Sequence, residues 1–222
     1  MSLADIRYVS FDCYGTLTNF QIGDVTRDLL ADRVADETMP IFLEDFTAYR
    51  FDEAMGAWNP YPDLLHRALE RTCKLWNLPF RVEDAQAIVD AIPSWGPHAD
   101  VPAGLARAAE KLPLVILSNA SDNQIQANVD KLGAPFDRVL TAEQAQAYKP
   151  RLQAFEYMFD SLGCGPEHVM HVSSSLRYDL MSAHDLRIAR RVFVERGHGP
   201  GNPAYGYDAI SDIGGLAALI GA

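Results

Sequence analysis

The chain has 222 residues, 48% of them apolar, and 30 acidic against 19 basic residues give it a net charge of -11. That length can bury a full core and suits one domain with a large insertion or two modest domains, while an acidic excess spread along the chain argues against a nucleic-acid or anionic-membrane partner. Cys13, Cys73 and Cys164 lack metal-ligand spacing and read as reduced thiols of a cytoplasmic protein, and neither a leader-like start nor an apolar run of bilayer-spanning length is present.

The first expected element is a strand over Ile6 to Phe11, short, β-branched and aromatic, ending at Asp12 and the turn around Gly15. From about Asp24 to Ile92 the pattern turns helical: Phe42, Phe46 and Tyr49 share one face, and Leu65, Leu69 and Trp76 continue another. Pro93, Gly96 and Pro97 punctuate the end of this block, and Pro102 opens a new helix. Strands and helices then alternate: strands at 114–117, 138–140, 169–172 and 191–194, with helices from about Asp122, from about Arg151 and near Tyr178. This is the rhythm of a parallel sheet with helices on both faces, and the helical block reads as an insertion after the first strand. "GHGPGNP" at 197–203 reads as a flexible loop, not a phosphate cradle, and the six histidines show no metal-ligand spacing.

In such a sheet the carboxyl ends of the strands face a ligand crevice. Four of them carry polar residues: Asp12, then Ser118 with Asn119, then Lys149, then Ser173, Ser174 and Ser175 with Asp179. Taken singly, Ser118 and Asn119 would read as a helix cap and Lys149 as a surface lysine before a helix. Taken together they are too many for caps. A carboxylate with a reference pKa near ~3.9 is ionised at neutral pH and attacks an electrophilic carbon or phosphorus without a general base. Lys149 would offset the desolvation of Asp12, Ser118 and Asn119 would donate hydrogen bonds to a substrate or leaving group, and Thr16 would hold the Asp12 loop.

"DCYGTL", "LSNAS", "YKP" and "VSSSLRYDLMSA" resemble the four motifs of the haloacid dehalogenase superfamily, over nearly the whole chain, and are most similar to its 2-haloacid dehalogenase branch. The resemblance implies an α/β, Rossmann-like core over residues 1–20 and 94–222, an inserted helical cap domain over residues 21–93, and a hydrolase with Asp12 as nucleophile. Phosphatases of the superfamily carry a second acid two residues after the nucleophile and a magnesium-binding acid in the fourth motif. Here those positions are Tyr14 and Ser174. Halide leaves as an anion and needs neither a leaving-group acid nor a metal, so metal-independent carbon–halogen hydrolysis through an aspartyl ester is expected, with no cofactor. A phosphatase with an atypical magnesium site and a non-catalytic small-molecule-binding protein are the alternatives.

Departures from the dehalogenase pattern point to an altered substrate. The cap arginine of dehalogenases corresponds to Phe42, the tyrosine after the motif lysine to Phe155, and the fourth-motif asparagine to Ser175. Arg50 is the nearest later cap arginine, placed to meet the carboxylate of a longer substrate whose apolar part uses Phe42, Phe155 and Trp58; Tyr14, Ser173, Ser174 and Ser175 complete the expected contacts. The pattern "VSSNxWD" is one residue shorter than "VSSSLRYD", which leaves Asp179 either to activate water or mainly to bind Lys149. The expected partner is a small molecule; a homodimer is compatible with the sequence.

Overall fold

The computed structural model describes residues 5–221. Its apolar runs form six strands, β1 (Tyr8–Phe11), β2 (Leu114–Ser118), β3 (Arg138–Thr141), β4 (Val169–Ser173), β5 (Arg190–Val194) and β6 (Asp208–Ile210). They lie in the order β3-β2-β1-β4-β5-β6, each neighbouring pair parallel. This is a Rossmann-like, doubly wound order, in which the winding reverses between β1 and β4 and opens a crevice at their carboxyl ends.

The helices are α1 (Ile22–Leu30), α2 (Met39–Met55), α3 (Tyr61–Leu75), α4 (Val82–Ala91), α5 (Val101–Ala109), α6 (Asp122–Val129), α7 (Ala142–Ala145), α8 (Leu152–Leu162), α9 (Met181–Asp185) and α10 (Leu216–Ile220). The chain divides into two units, one of Met1–Asn19 with Gly96–Ala222 and one of Phe20–Trp95. In the first, successive strand residues feed opposite faces of the sheet. Val9, Phe11, Leu114, Ile116, Met170 and Val172 pack with Leu105 of α5 and Leu216 of α10, while Val115, Leu117 and Val169 pack with Phe155, Met158 and Leu162 of α8. The second unit holds α1 to α4. Proline near the start of α2 and α3 suits the first helical turn, where a missing N–H costs nothing, and Phe42, Phe46, Leu65 and Leu69 are buried on the helical period. Where the chain leaves and rejoins the sheet unit, Asn19 N donates to Gly96 O (2.9 Å) and His98 N to Leu17 O (3.0 Å). Among the described residues no helix is long and apolar enough to cross a membrane.

The ladder of β1 begins at Tyr8, two residues after the expected start, while Arg7 N donates to His168 O (2.8 Å) just before β4. The segment near Tyr178 is not a plain α-helix: Leu176–Leu180 forms a π-helical turn that runs into α9. β6, α7 and α10 are absent from the sequence expectation because three to five residues are too few to show a period.

Gly104 lets α5 approach the C-terminal segment: a Cβ there would lie 2.7 Å from Ile213 Cγ2 and 2.9 Å from its carbonyl carbon. Gly104→Ala is expected to destabilise the protein by about 1–3 kcal/mol, read as a lowered midpoint in urea denaturation.

Candidate active site

Asp12 follows β1 directly and its N–H donates to Val172 O of β4 (3.0 Å), which fixes it at the reversal point of the sheet. The chain then turns sharply. Gly15 has φ +91°, a left-handed conformation that glycine adopts without strain, and Leu17 N and Thr18 N both donate to Cys13 O. The turn brings Thr16 back over Asp12, so that Thr16 Oγ1 donates to Asp12 Oδ2 (2.7 Å) and accepts from Ser174 N (2.9 Å). Because the single hydroxyl proton of Thr16 is committed to Asp12, the 3.1 Å contact with Ser174 Oγ has Ser174 as donor.

Lys149 is buried, 1% exposed, and spends all three ammonium hydrogens: on Asp12 Oδ1 (2.9 Å), Asp179 Oδ1 (2.7 Å) and Leu117 O (2.8 Å). Asn119 fixes its backbone, with Nδ2 donating to Lys149 O (2.9 Å) and Oδ1 accepting from Lys149 N (2.7 Å). Asp179 lies on the π-helical turn, where Leu180 N donates to Ser175 O (3.2 Å) and Ser175 Oγ accepts from Tyr178 N (3.0 Å). The wide turn takes up the extra residue of "VSSSLRYD" and still delivers Asp179 to Lys149. On its far side, Asp179 Oδ1 also meets His171 Nε2 (3.0 Å), whose Nδ1 lies 2.8 Å from Ser10 Oγ.

The structure thus gathers Asp12, Thr16, Lys149, Ser174 and Asp179 into one network. Ser118 Oγ is buried without a hydrogen-bond partner. Asn119 differs from expectation: its amide matches the peptide of Lys149, so it positions the lysine. Tyr14 donates its hydroxyl to Asn128 Oδ1 (2.9 Å), and Ser173 Oγ accepts from Ser175 N (2.9 Å). Phe155 is fully buried in the α8 core, edge-on to His171 at 5.4 Å, and so presents no open wall. Phe42, Arg50 and Trp58 belong to the helical unit. There Phe42 packs edge-on against Trp76 (5.4 Å). The Arg50 guanidinium stacks over Phe46 (5.0 Å) and Phe20 (5.7 Å), donates Nη2 to Thr47 Oγ1 (2.9 Å), and leaves Nε without a partner, as does Nε1 of Trp58.

His171 and Ser10 lie inside strands, away from the polar strand ends that stand out in the sequence. A histidine inside "VMHV" and a serine inside "YVSF", two otherwise apolar buried strands, were the available signal. Arg196 was also unanticipated: it pairs bidentately with Asp100 (2.8 Å and 2.8 Å) and donates Nε to Thr16 O (3.2 Å). The expected flexible loop at 197–203 reaches the same turn, where His198 Nε2 lies 3.1 Å from Gly15 O.

Burial and the negative charge of Asp179 raise the Asp12 pKa above its ordinary value, although Lys149 and Thr16 oppose the shift. Burial also pushes Asp179 upward, but there Lys149 and the His171 hydrogen bond outweigh it and hold the carboxyl below its ordinary value. Lys149 remains firmly protonated, since its two carboxylates outweigh its desolvation. Burial pushes the Cys13 thiol up to about 12, which removes it as a nucleophile. The donors present do not suit magnesium. Ser174 offers a hydroxyl, Asp179 Oδ1 is already bonded to Lys149 and His171, and among the described residues no group of three or more His, Cys, Asp or Glu side chains could hold a metal ion.

A model of the haloacid dehalogenase-like hydrolases matches residues 6–186. The (S)-2-haloacid dehalogenase of Pseudomonas sp. (strain YL) is 29% identical over 182 residues, covering 77% of this chain and 75% of that one. The L-2-haloacid dehalogenase from Xanthobacter autotrophicus, solved with chloropropionic acid covalently bound, superposes with a TM-score of 0.74 at 22% identity, over 97% of this chain and 98% of that one. The HAD-hydrolase YfnB from Bacillus subtilis, solved bound to magnesium, reaches 0.81 at 14% identity, over 98% of this chain and 99% of that one. Fold likeness at these identities does not separate metal-dependent from metal-free chemistry.

The two carboxyls are expected to titrate apart. In a carbonyl ¹³C NMR titration Asp12 takes its proton at a higher pH than Asp179, and Lys149→Met moves both midpoints up by removing the shared cation. Asp179 titrating above Asp12 would contradict the assignment.

Proposed function

The chain belongs to the haloacid dehalogenase-like hydrolase family, and from that premise we propose that it hydrolyses a carbon–halogen bond by way of an aspartyl ester on Asp12, without a metal. The observation that carries this reading is the bridge of Lys149 between Asp12 (2.9 Å) and Asp179 (2.7 Å). Beside it, the positions where a phosphoryl-transferring relative has its leaving-group acid and its magnesium-binding acid hold Tyr14 and Ser174. Tyr14, at the position of the leaving-group acid, is a phenol that donates a hydrogen bond to Asn128 and not a carboxylic acid, which suits a leaving group that departs as an anion. The (S)-2-haloacid dehalogenase relative and the covalent chloropropionic acid adduct of the Xanthobacter protein support the same chemistry.

On this route Asp12 displaces halide from the substrate carbon and forms the ester. Water then adds to the ester carbonyl, giving one proton to Asp179. The acyl–oxygen bond breaks, the departing alkoxide takes that proton, and the new carboxyl of Asp12 releases the second proton of water. A single turnover in heavy-oxygen water with excess enzyme is expected to label the Asp12 side chain before the product, with or without chelator. Label appearing first in product, or turnover by Asp12→Ala, would sink the nucleophile assignment; magnesium-dependent release of phosphate from esters would favour the phosphatase alternative.

For the substrate carboxylate we propose Arg50. Among the described residues this arginine has no acidic partner, and its Nε is unpaired beside two aromatic rings. On α2 it lies about 12 Å and about 80° from Phe42, so it does not stand in for an arginine at Phe42, and the acid proposed for it is a longer one. Loss of one charged hydrogen bond corresponds to about ten- to a hundredfold in rate. 2-Chloropropionate is therefore expected to be turned over at least about tenfold less efficiently than long-chain or aryl 2-haloacids, and Arg50→Ala to abolish the difference by lowering kcat/KM for the long acids. Efficient use of 2-chloropropionate that survives Arg50→Ala would contradict the assignment.

A further inference from the structure

Behind the carboxylate–lysine bridge lies a buried pair that the ester route does not itself use. Ser10 of β1 and His171 of β4 stand opposite each other in the ladder, on the face of the sheet covered by α8. Both are fully buried. We propose that His171, fixed by Ser10, is a positioning residue for ester hydrolysis: it holds Asp179 so that Oδ1 is committed to Lys149 and the imidazole while Oδ2 stays free to take the proton of the attacking water.

The hydrogen bonds settle which atom donates. An ionised Asp179 can only accept, so the 3.0 Å contact requires a proton on His171 Nε2. In a neutral ring Nδ1 is then an acceptor, and the 2.8 Å contact has Ser10 Oγ as its donor. The weaker alternative for that hydroxyl, Met170 O at 3.3 Å, is the longer one. Asp179 therefore fixes the proton on Nε2, and Ser10 holds the ring by its other nitrogen. Phe155 closes the remaining side of the ring edge-on. The charged groups around His171 are Asp179 directly and, beyond it, Lys149 and Asp12; Ser10 and Phe155 are uncharged.

This arrangement leaves Asp179 Oδ2 as a buried oxygen with no partner. An acceptor of this kind is costly to bury, and in the proposed step it is the oxygen that receives the proton of water. If Oδ1 were not held from both sides, the carboxylate could rotate and offer Lys149 either oxygen. His171 also helps keep Asp179 ionised, so its removal raises the pH at which the carboxylate loses its charge.

The inference rests on the carbon–halogen reading, and the test separates the two. Wild type, His171→Phe, His171→Gln and Ser10→Ala, each checked for folding by circular dichroism, are mixed in excess with 2-bromohexanoate. Halide is followed by ion chromatography and the Asp12 ester by mass spectrometry of quenched samples. His171→Phe is expected to release halide within about threefold of wild type but to lose the ester about ten- to a hundredfold more slowly, so that ester accumulates. The acid limb of ester hydrolysis moves to higher pH in the same variant. His171→Gln, which keeps a neutral N–H donor, recovers most of the rate, and Ser10→Ala falls between. Ester decay at the wild-type rate in folded His171→Phe, or halide release and ester decay falling in parallel, would overturn the role given to His171. No halide and no ester from wild type would overturn the carbon–halogen reading and this inference with it.

Discussion

The ammonium of Lys149 is the charge around which the site is organised. An ammonium 1% exposed to solvent loses several kcal/mol of hydration, and only a carboxylate on each side with a carbonyl for the third hydrogen restores that loss. Those acceptors come from the ends of three adjacent strands: Asp12 after β1, Leu117 O in β2, and Asp179 after β4. Each carboxylate then takes a second donor of its own. Thr16 supplies one and His171 the other. The Gly15 turn, the Asn119 clamp and the π-helical turn under Asp179 are three different backbone solutions to one requirement, that four polar side chains converge on a point they could not occupy singly.

This convergence explains what could be read in the sequence and what could not. The parallel sheet was legible because five strands are short apolar runs between helical patterns, and the residues at their ends were legible because a polar group after a buried strand has few places to go. Asn119 was legible as a polar strand end but not as a clamp. Its amide could serve a ligand or a peptide equally well, and only the return of the chain at Lys149 decides between them. Asp179 depended on a turn geometry that spacing alone does not give. His171 and Ser10 sit one layer deeper, inside strands, where a sequence reader counts apolar residues and passes over the exceptions.

Arg196 and His198 illustrate a further limit. Both reach the Asp12 turn from a glycine- and proline-rich segment with no period to read, and both act on backbone carbonyls, of Thr16 and Gly15. Side chain to carbonyl contacts across 180 residues of separation leave no local pattern. They matter because the turn they brace carries Thr16, whose one hydroxyl links Asp12 to Ser174.

The unequal pull on the two carboxylates also orders the proposed reaction. With Asp12 shifted up and Asp179 held down, the carboxylate nearer its proton is the more basic and hence the better nucleophile, while the other serves as the firmer counter-ion of Lys149. The resting trio of two carboxylates and one ammonium carries a net negative charge. Esterification of Asp12 removes one of those charges and leaves a neutral Lys149–Asp179 pair. The ammonium, which had balanced the Asp12 carboxylate, is then left facing the oxygens of an ester. As water adds, negative charge returns to that group as an oxyanion, and the donor that had been a counter-ion becomes a stabiliser of the transition state without moving. In the proposed cycle one lysine thereby serves both halves. In the role proposed for it, His171 on the opposite side of Asp179 holds that carboxylate in place when its neighbour changes charge.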